Sequence, residues 1–153
     1  MSNQERLKEL KRKNNNQIVC SKWNNNGLIL SVEDFIDVEK TLKVQEIILK
    51  KLDDIDECEQ SEIYNDEADV LIRYRVKVLS NINENDEYIF FEKDAVKNGA
   101  VKLKGSIIKE KIDFLINESE FMNDCCSIFL CDSQAEMGIC LWASEYDYRI
   151  YIW

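Results

Sequence analysis

Three short apolar runs close the chain: residues 124–131 (DCCSIFLC), 138–143 (GICLWA) and 148–153 (YRIYIW). Each has the length and the aromatic and β-branched content of a strand. The gaps between them are only six and four residues long. A parallel return needs a crossover of roughly a dozen residues or more, so gaps this short predict an antiparallel three-strand meander. A chain that ends in Ile150, Tyr151, Ile152 and Trp153 is also expected to pin its last strand into the sheet, against the usual looseness of termini.

The remaining segments must cover that sheet. Proline is absent and glycine occurs four times, so few breakers interrupt helix or strand, and Asn, Asp and Ser build the loops. In residues 68–80, Val70, Ile72, Tyr74, Val76 and Val78 alternate with Leu71, Arg73, Arg75 and Lys77. That pattern predicts a strand, with residues 87–92 (EYIFFE) as its antiparallel partner in a central hairpin. Ser31, followed by Glu33 and Asp34, has the form of a helix N-cap and predicts a long helix to about residue 58. Its apolar positions fall on two faces: Val32, Phe35, Val38 and Leu42 on one, Val44, Ile47, Ile48, Ile55 and Cys58 on the other. Either the helix bends or breaks near 39–41, or it is wedged between two apolar layers. A strand over 41–49 is the third option, but the 3.6-residue period argues for helix.

A second, shorter helix is expected over 106–117, facing the core with Ile108, Ile112, Leu115 and Ile116. Residues 3–13 read as a basic helical stub ended by Asn14, Asn15 and Asn16, and residues 17–31 as a hairpin turning at 24–27. Residues 93–105 are basic and carry no clear period. The length suits one domain. The expected fold is α+β: an antiparallel sheet, made of the C-terminal meander and the central hairpin, packed against the long helix and the shorter one.

Charge is distributed in blocks. The net charge of -10 resolves into +3 for residues 1–52, -9 for 53–69, +3 for 70–112, -8 for 113–148 and +1 for 149–153. The second block, DDIDECEQSEIYNDEAD, holds Asp53, Asp54, Asp56, Glu57, Glu59, Glu62, Asp66, Glu67 and Asp69 and no Lys or Arg. If the long helix runs to 58, the block begins at its C-terminal end, where the dipole disfavours each carboxylate by about 0.3–1 kcal/mol. Charge kept at such a cost suits a surface that meets a basic partner, with Tyr64 as an aromatic anchor. The same run also reads as a solvated acidic loop, and Tyr64 as a packing residue at a helix end.

Several chemistries lack their residues. The chain has no histidine, which removes Ser–His and Cys–His nucleophile pairs and the commonest general base. No phosphate-cradling glycine motif occurs. A calcium loop started at Asp54 puts Glu59 where the EF-hand needs Gly and Asn65 where it needs a bidentate acid. Cys125, Cys126, Cys131 and Cys140 cluster, but with no C-x-x-C pair and no histidine they read as reduced thiols used as small hydrophobes. Neither cofactor nor metal is expected. The basic segments are too modest for direct nucleic-acid binding. No apolar run nears the roughly 18 residues of a membrane span, and no signal pattern opens the chain. A cytoplasmic, non-enzymatic protein is therefore expected.

The reading that uses the charge is an acidic protein-binding module of the inhibitor or immunity type, neutralising a basic partner such as a nuclease toxin. The alternative is a structural or accessory assembly protein of phage or mobile-element type, whose acidity serves solubility only. A ligand pocket built from Trp142, Trp153 and the C-terminal tyrosines is the third.

Overall fold

The computed structural model describes residues 1–55, 61–121 and 127–153; of Ser61 and Glu62 it describes the backbone alone. The elements in chain order are α1 (Asn3–Asn25), a 3-10 turn (Val32–Asp34), α2 (Val38–Asp54), β1 (Ser61–Tyr64), α3 (Glu67–Asn81), β2 (Glu87–Phe90), α4 (Ala95–Asn98), β3 (Val101–Lys104), α5 (Gly105–Glu110), α6 (Ile112–Glu118), β4 (Ile128–Asp132), β5 (Gly138–Ala143) and β6 (Tyr148–Ile152). Among the described residues six strands form one antiparallel sheet in the order β1-β6-β5-β4-β2-β3. The fold is α+β, as expected.

The C-terminal meander is present, with Leu130 opposite Ile139 and Leu141 opposite Ile150. Its end is pinned as predicted. Trp153 and Gly138 exchange backbone hydrogen bonds of 3.0 and 3.2 Å, and the Trp153 indole donates to the Ala135 carbonyl at 3.1 Å. The Trp153 ring lies so close over Gly138 that a Cβ there would fall 2.3 Å from it.

Period-two alternation splits the sheet between two cores. Tyr88, Phe90, Val101, Leu103, Ile128, Leu130, Ile139, Leu141 and Ile150 enter the larger one, closed by Trp23 of α1, by α3 and by α5–α6. Ile89, Phe91, Phe129, Cys131 and Cys140 enter the second, closed by Val44 and Ile48 of α2. Helices therefore cover both faces, which is why β4 and the start of β5 are buried along consecutive residues.

Four sequence expectations need correction. Residues 68–80 are not a strand but lie within α3. Asp66 caps that helix by accepting from the Asp69 backbone N–H at 2.9 Å, and Val70, Leu71, Tyr74 and Val78 form its buried stripe. The alternating Ile72 and Val76 point outward. The partners of β2 are instead β3 and β4. Residues 17–31 are not a hairpin, because α1 continues to Asn25 from a capping box between Ser2 and Glu5. The long helix does not begin at Ser31. That residue opens the 3-10 turn, the chain then runs extended through Phe35, and Asp37 caps α2 through the Lys40 N–H at 2.7 Å. This break accounts for the two apolar faces read between 32 and 58. The 106–117 helix is divided at Lys111 into α5 and α6.

Of α1, only Asn16, Cys20 and Trp23 are buried; its first three turns project from the body with Leu7 and Leu10 exposed. Deleting residues 1–13 is accordingly expected to change unfolding free energy by less than about 1 kcal/mol in urea denaturation. A loss above about 2 kcal/mol would show that the stub is packed.

Candidate partner-binding site

The acidic block does not form one patch at one helix end. Asp53 and Asp54 occupy the last turn of α2 and are exposed. Asp56, Glu57 and Glu59 lie outside the described residues, as does the Glu62 side chain. The Glu62 backbone is opposite Ile150 in the β1–β6 pair. Tyr64, opposite Tyr148, is half-buried against the larger core. Asp66, Glu67 and Asp69 form the cap and first turn of α3, the end at which the helix dipole favours negative charge. Glu67 also accepts from the Tyr148 hydroxyl at 3.5 Å. The cost expected of the block thus applies, among the described residues, to Asp53 and Asp54. For Asp66, Glu67 and Asp69 the same dipole is stabilising.

None of the ion pairs formed among the described residues involves Asp53, Asp54, Asp66 or Asp69. Asp53 borders a groove of about 230 Å³ lined also by Leu49, Leu52, Trp142 and Tyr151. The groove exists because α2 covers only part of its sheet face. Val44 and Ile48 are buried there, whereas Leu49 and the rings of Trp142 and Tyr151 remain partly exposed. Partly exposed aromatic rings beside a carboxylate that forms no ion pair among the described residues are the composition of a protein-binding surface.

Along the same face the groove shares Leu49 and Trp142 with a larger cavity of about 350 Å³, whose walls include Phe91, Phe129 and Glu92. The Phe91 and Phe129 rings meet edge to face at 5.8 Å, and Phe129 and Trp142 lie 6.4 Å apart. Glu92 is 4% exposed, and its Oε1 has no hydrogen-bond partner among the described residues. Burial pushes its carboxyl up to about 7; a hydrogen bond from the Asp94 backbone N–H opposes the rise, and the charges of Asp94 and Glu118 add to it. Glu118 is buried as well but matched, receiving Lys22 Nζ at 2.7 Å and the Trp23 indole N–H at 3.1 Å. Nothing in the local pattern of EYIFFEKD marks Glu92 as buried. Its position follows from the turn between β2 and α4 folding beneath Glu118, whose carbonyl accepts the Lys93 N–H at 3.1 Å.

Cys20, Cys131 and Cys140 are free and buried. Burial raises each of these thiols, Cys131 to about 12, so they are poor nucleophiles. Cys58, Cys125 and Cys126 lie outside the described residues. Among the described residues no group of three or more side chains could hold a metal ion, and no helix is long and apolar enough to cross a membrane.

Residues 19–153 match the profile of the YxiF protein family. The chain belongs to the YxiF family. No curated protein and no solved structure matches it. The YxiF match takes in α2, the acidic block, the groove and every strand of the sheet, and begins inside α1, four residues before Trp23.

Proposed function

We propose that this YxiF-family chain is a non-enzymatic, cytoplasmic binding module that neutralises a basic protein by charge complementarity, as an inhibitor or immunity protein would neutralise a nuclease toxin. The observation that carries this reading is the end of α2, where Asp53, without an ion pair among the described residues, adjoins the groove of Leu49, Leu52, Trp142 and Tyr151, and exposed Asp54 follows it in the same last turn. Unpaired rim charge speeds encounter and selects the partner, while aromatic rings supply the buried anchor. A nuclease active site is built to hold phosphate, so an acidic surface can occupy it by imitating the polyanion. The lack of histidine and the raised thiols leave the commonest nucleophile–base pairs without members.

The test is a titration of the purified partner, first isolated by its salt-sensitive capture. Wild-type affinity is expected to fall as salt rises. A variant carrying Asp53→Asn, Asp54→Asn, Asp56→Asn, Glu59→Gln and Glu62→Gln is expected to keep its fold and to bind at least about ten-fold more weakly. Equal affinity of variant and wild type at low salt would sink the proposal and leave the accessory-protein reading, in which acidity only keeps the chain soluble.

A further inference from the structure

We propose that the cavity bounded by Glu92, Phe129 and Trp142 receives an arginine side chain of the partner, its guanidinium against the Glu92 carboxyl and its methylenes along the rings. This rests on the reading of the molecule as a binder of a basic protein, and names what that protein inserts.

The first argument is an unfilled hydrogen-bond position. Buried carboxyl oxygens are almost always partnered, yet Glu92 Oε1 is buried without a donor among the described residues. Glu92 also borders two cavities, the aromatic one of about 350 Å³ and a second of about 340 Å³ whose walls include Lys22, Lys93, Lys97 and Glu118. The lysines around it are already engaged. Lys22 is held by Glu118 at 2.7 Å, Lys93 by Glu120 at 3.5 Å and Lys97 by Asp94 at 4.0 Å. Glu92 is therefore the carboxyl of this cluster that forms no ion pair among the described residues, Lys93 acting on it only at longer range.

The second argument is the wall chemistry. Phe91, Phe129 and Trp142 present rings to the cavity, and aromatic faces attract cations, tryptophan most strongly. A guanidinium is planar, stacks on rings and is less strongly hydrated than an ammonium, so it enters such a site at lower cost than lysine. The third argument is access. The cavity and the groove beside Asp53 share Leu49 and Trp142 as walls. A basic segment docked on the acidic end of α2 is thereby brought next to the cavity.

The probes are the blocked tripeptide Ac-Gly-Arg-Gly-NH2 and its citrulline and lysine counterparts, titrated into the full chain at pH 7.5. The Trp142 indole resonance reports occupancy. The arginine peptide is expected to saturate in the millimolar range, with the citrulline and lysine peptides at least ten-fold weaker. Glu92→Gln, checked for native fold by its spectrum, is expected to lose at least ten-fold in arginine-peptide affinity, whereas Glu9→Gln, on the projecting part of α1, is expected to change it less than two-fold. Citrulline or lysine peptides that bind as well as arginine, or a Glu92→Gln protein that binds as wild type does, would overturn the assignment. No protein partner enters this titration. Its failure leaves the acidic-rim reading standing, and failure of the charge-variant experiment leaves the cavity result standing.

Discussion

Replacing Trp23 with Ala is expected to remove about 3–5 kcal/mol of stability, the range for deleting a fully buried indole. Trp23 is 0% exposed, with its ring 6.2 Å from that of Phe90 and 5.7 Å from that of Phe114. One side chain thus joins α1 to β2 and to α6. Its indole N–H also donates to the buried Glu118 carboxylate, so truncation opens a cavity and removes one of that carboxylate's donors. Domains of this size are stable by only about 5–15 kcal/mol, so the loss takes a large part of the whole. Trp23→Phe separates the two contributions. It keeps most of the apolar contact but removes the donor, and a loss of about 1.5–3 kcal/mol is expected for a hydrogen bond to a charged group. Urea denaturation followed by far-ultraviolet circular dichroism measures both. A Trp23→Ala loss below about 1 kcal/mol would show that α1 is not part of the cooperative unit.

That same residue shows where local sequence reading and tertiary structure diverge. Ile18, Val19 and Cys20 suggest a strand, and three consecutive asparagines suggest a helix end. Each asparagine lowers helix stability relative to alanine by at most about 0.7 kcal/mol, a smaller sum than the burial of Trp23 supplies. Two of them also gain tertiary partners: Asn15 Nδ2 donates to Asn98 Oδ1 at 3.5 Å and Asn16 Nδ2 to the Asn98 carbonyl at 3.2 Å. The helix therefore runs through them. In α3 the alternating valines misled because a 1-2-5-9 stripe (Val70, Leu71, Tyr74, Val78) lies within the same letters. The deciding signal was the acidic start, since Asp66 is the N-cap of α3 and Glu67 and Asp69 lie in its first turn before they are a charge patch. By contrast the meander was legible because short loops leave adjacent strands a single mode of pairing.

The site was legible in its exposed part only. Charge runs are visible in sequence, so Asp53 and Asp54 could be named, and so could the carboxylates that turn out to cap α3. What the sequence does not show is which rings stay uncovered. Trp142 and Tyr151 are partly exposed because α2 ends where it does, not because of any residue beside them. Glu92 is hidden for a similar reason. A strand read as ending at Glu92 and followed by Lys93 and Asp94 places Glu92 in solvent, and only the approach of Glu118 and the β2–α4 turn removes it from water.

The largest pH effect is expected from Glu92. Its carboxyl is raised from the ordinary 4.5 to about 7, chiefly by burial, with the charges of Asp94 and Glu118 acting in the same direction and Lys93 against them. In the unfolded chain the group ionises near 4.5, whereas in the folded protein it holds its proton to about 7. Between these values the native state binds more protons than the unfolded state, so this group's contribution to stability falls as pH rises across that window and is constant above it. At about 1.4 kcal/mol per pH unit the fall amounts to roughly 3 kcal/mol. Glu92→Gln carries no such titration. Plotted as variant minus wild type, unfolding free energy from urea melts is expected to climb by that amount between pH 4.5 and 7.5 and then level off. Parallel curves for the two proteins would show that the Glu92 carboxyl ionises in the fold as freely as it does in water. The added stability and the loss of arginine-peptide binding are expected in the same variant, because a carboxylate held away from water without a cation weakens the free protein and strengthens the complex.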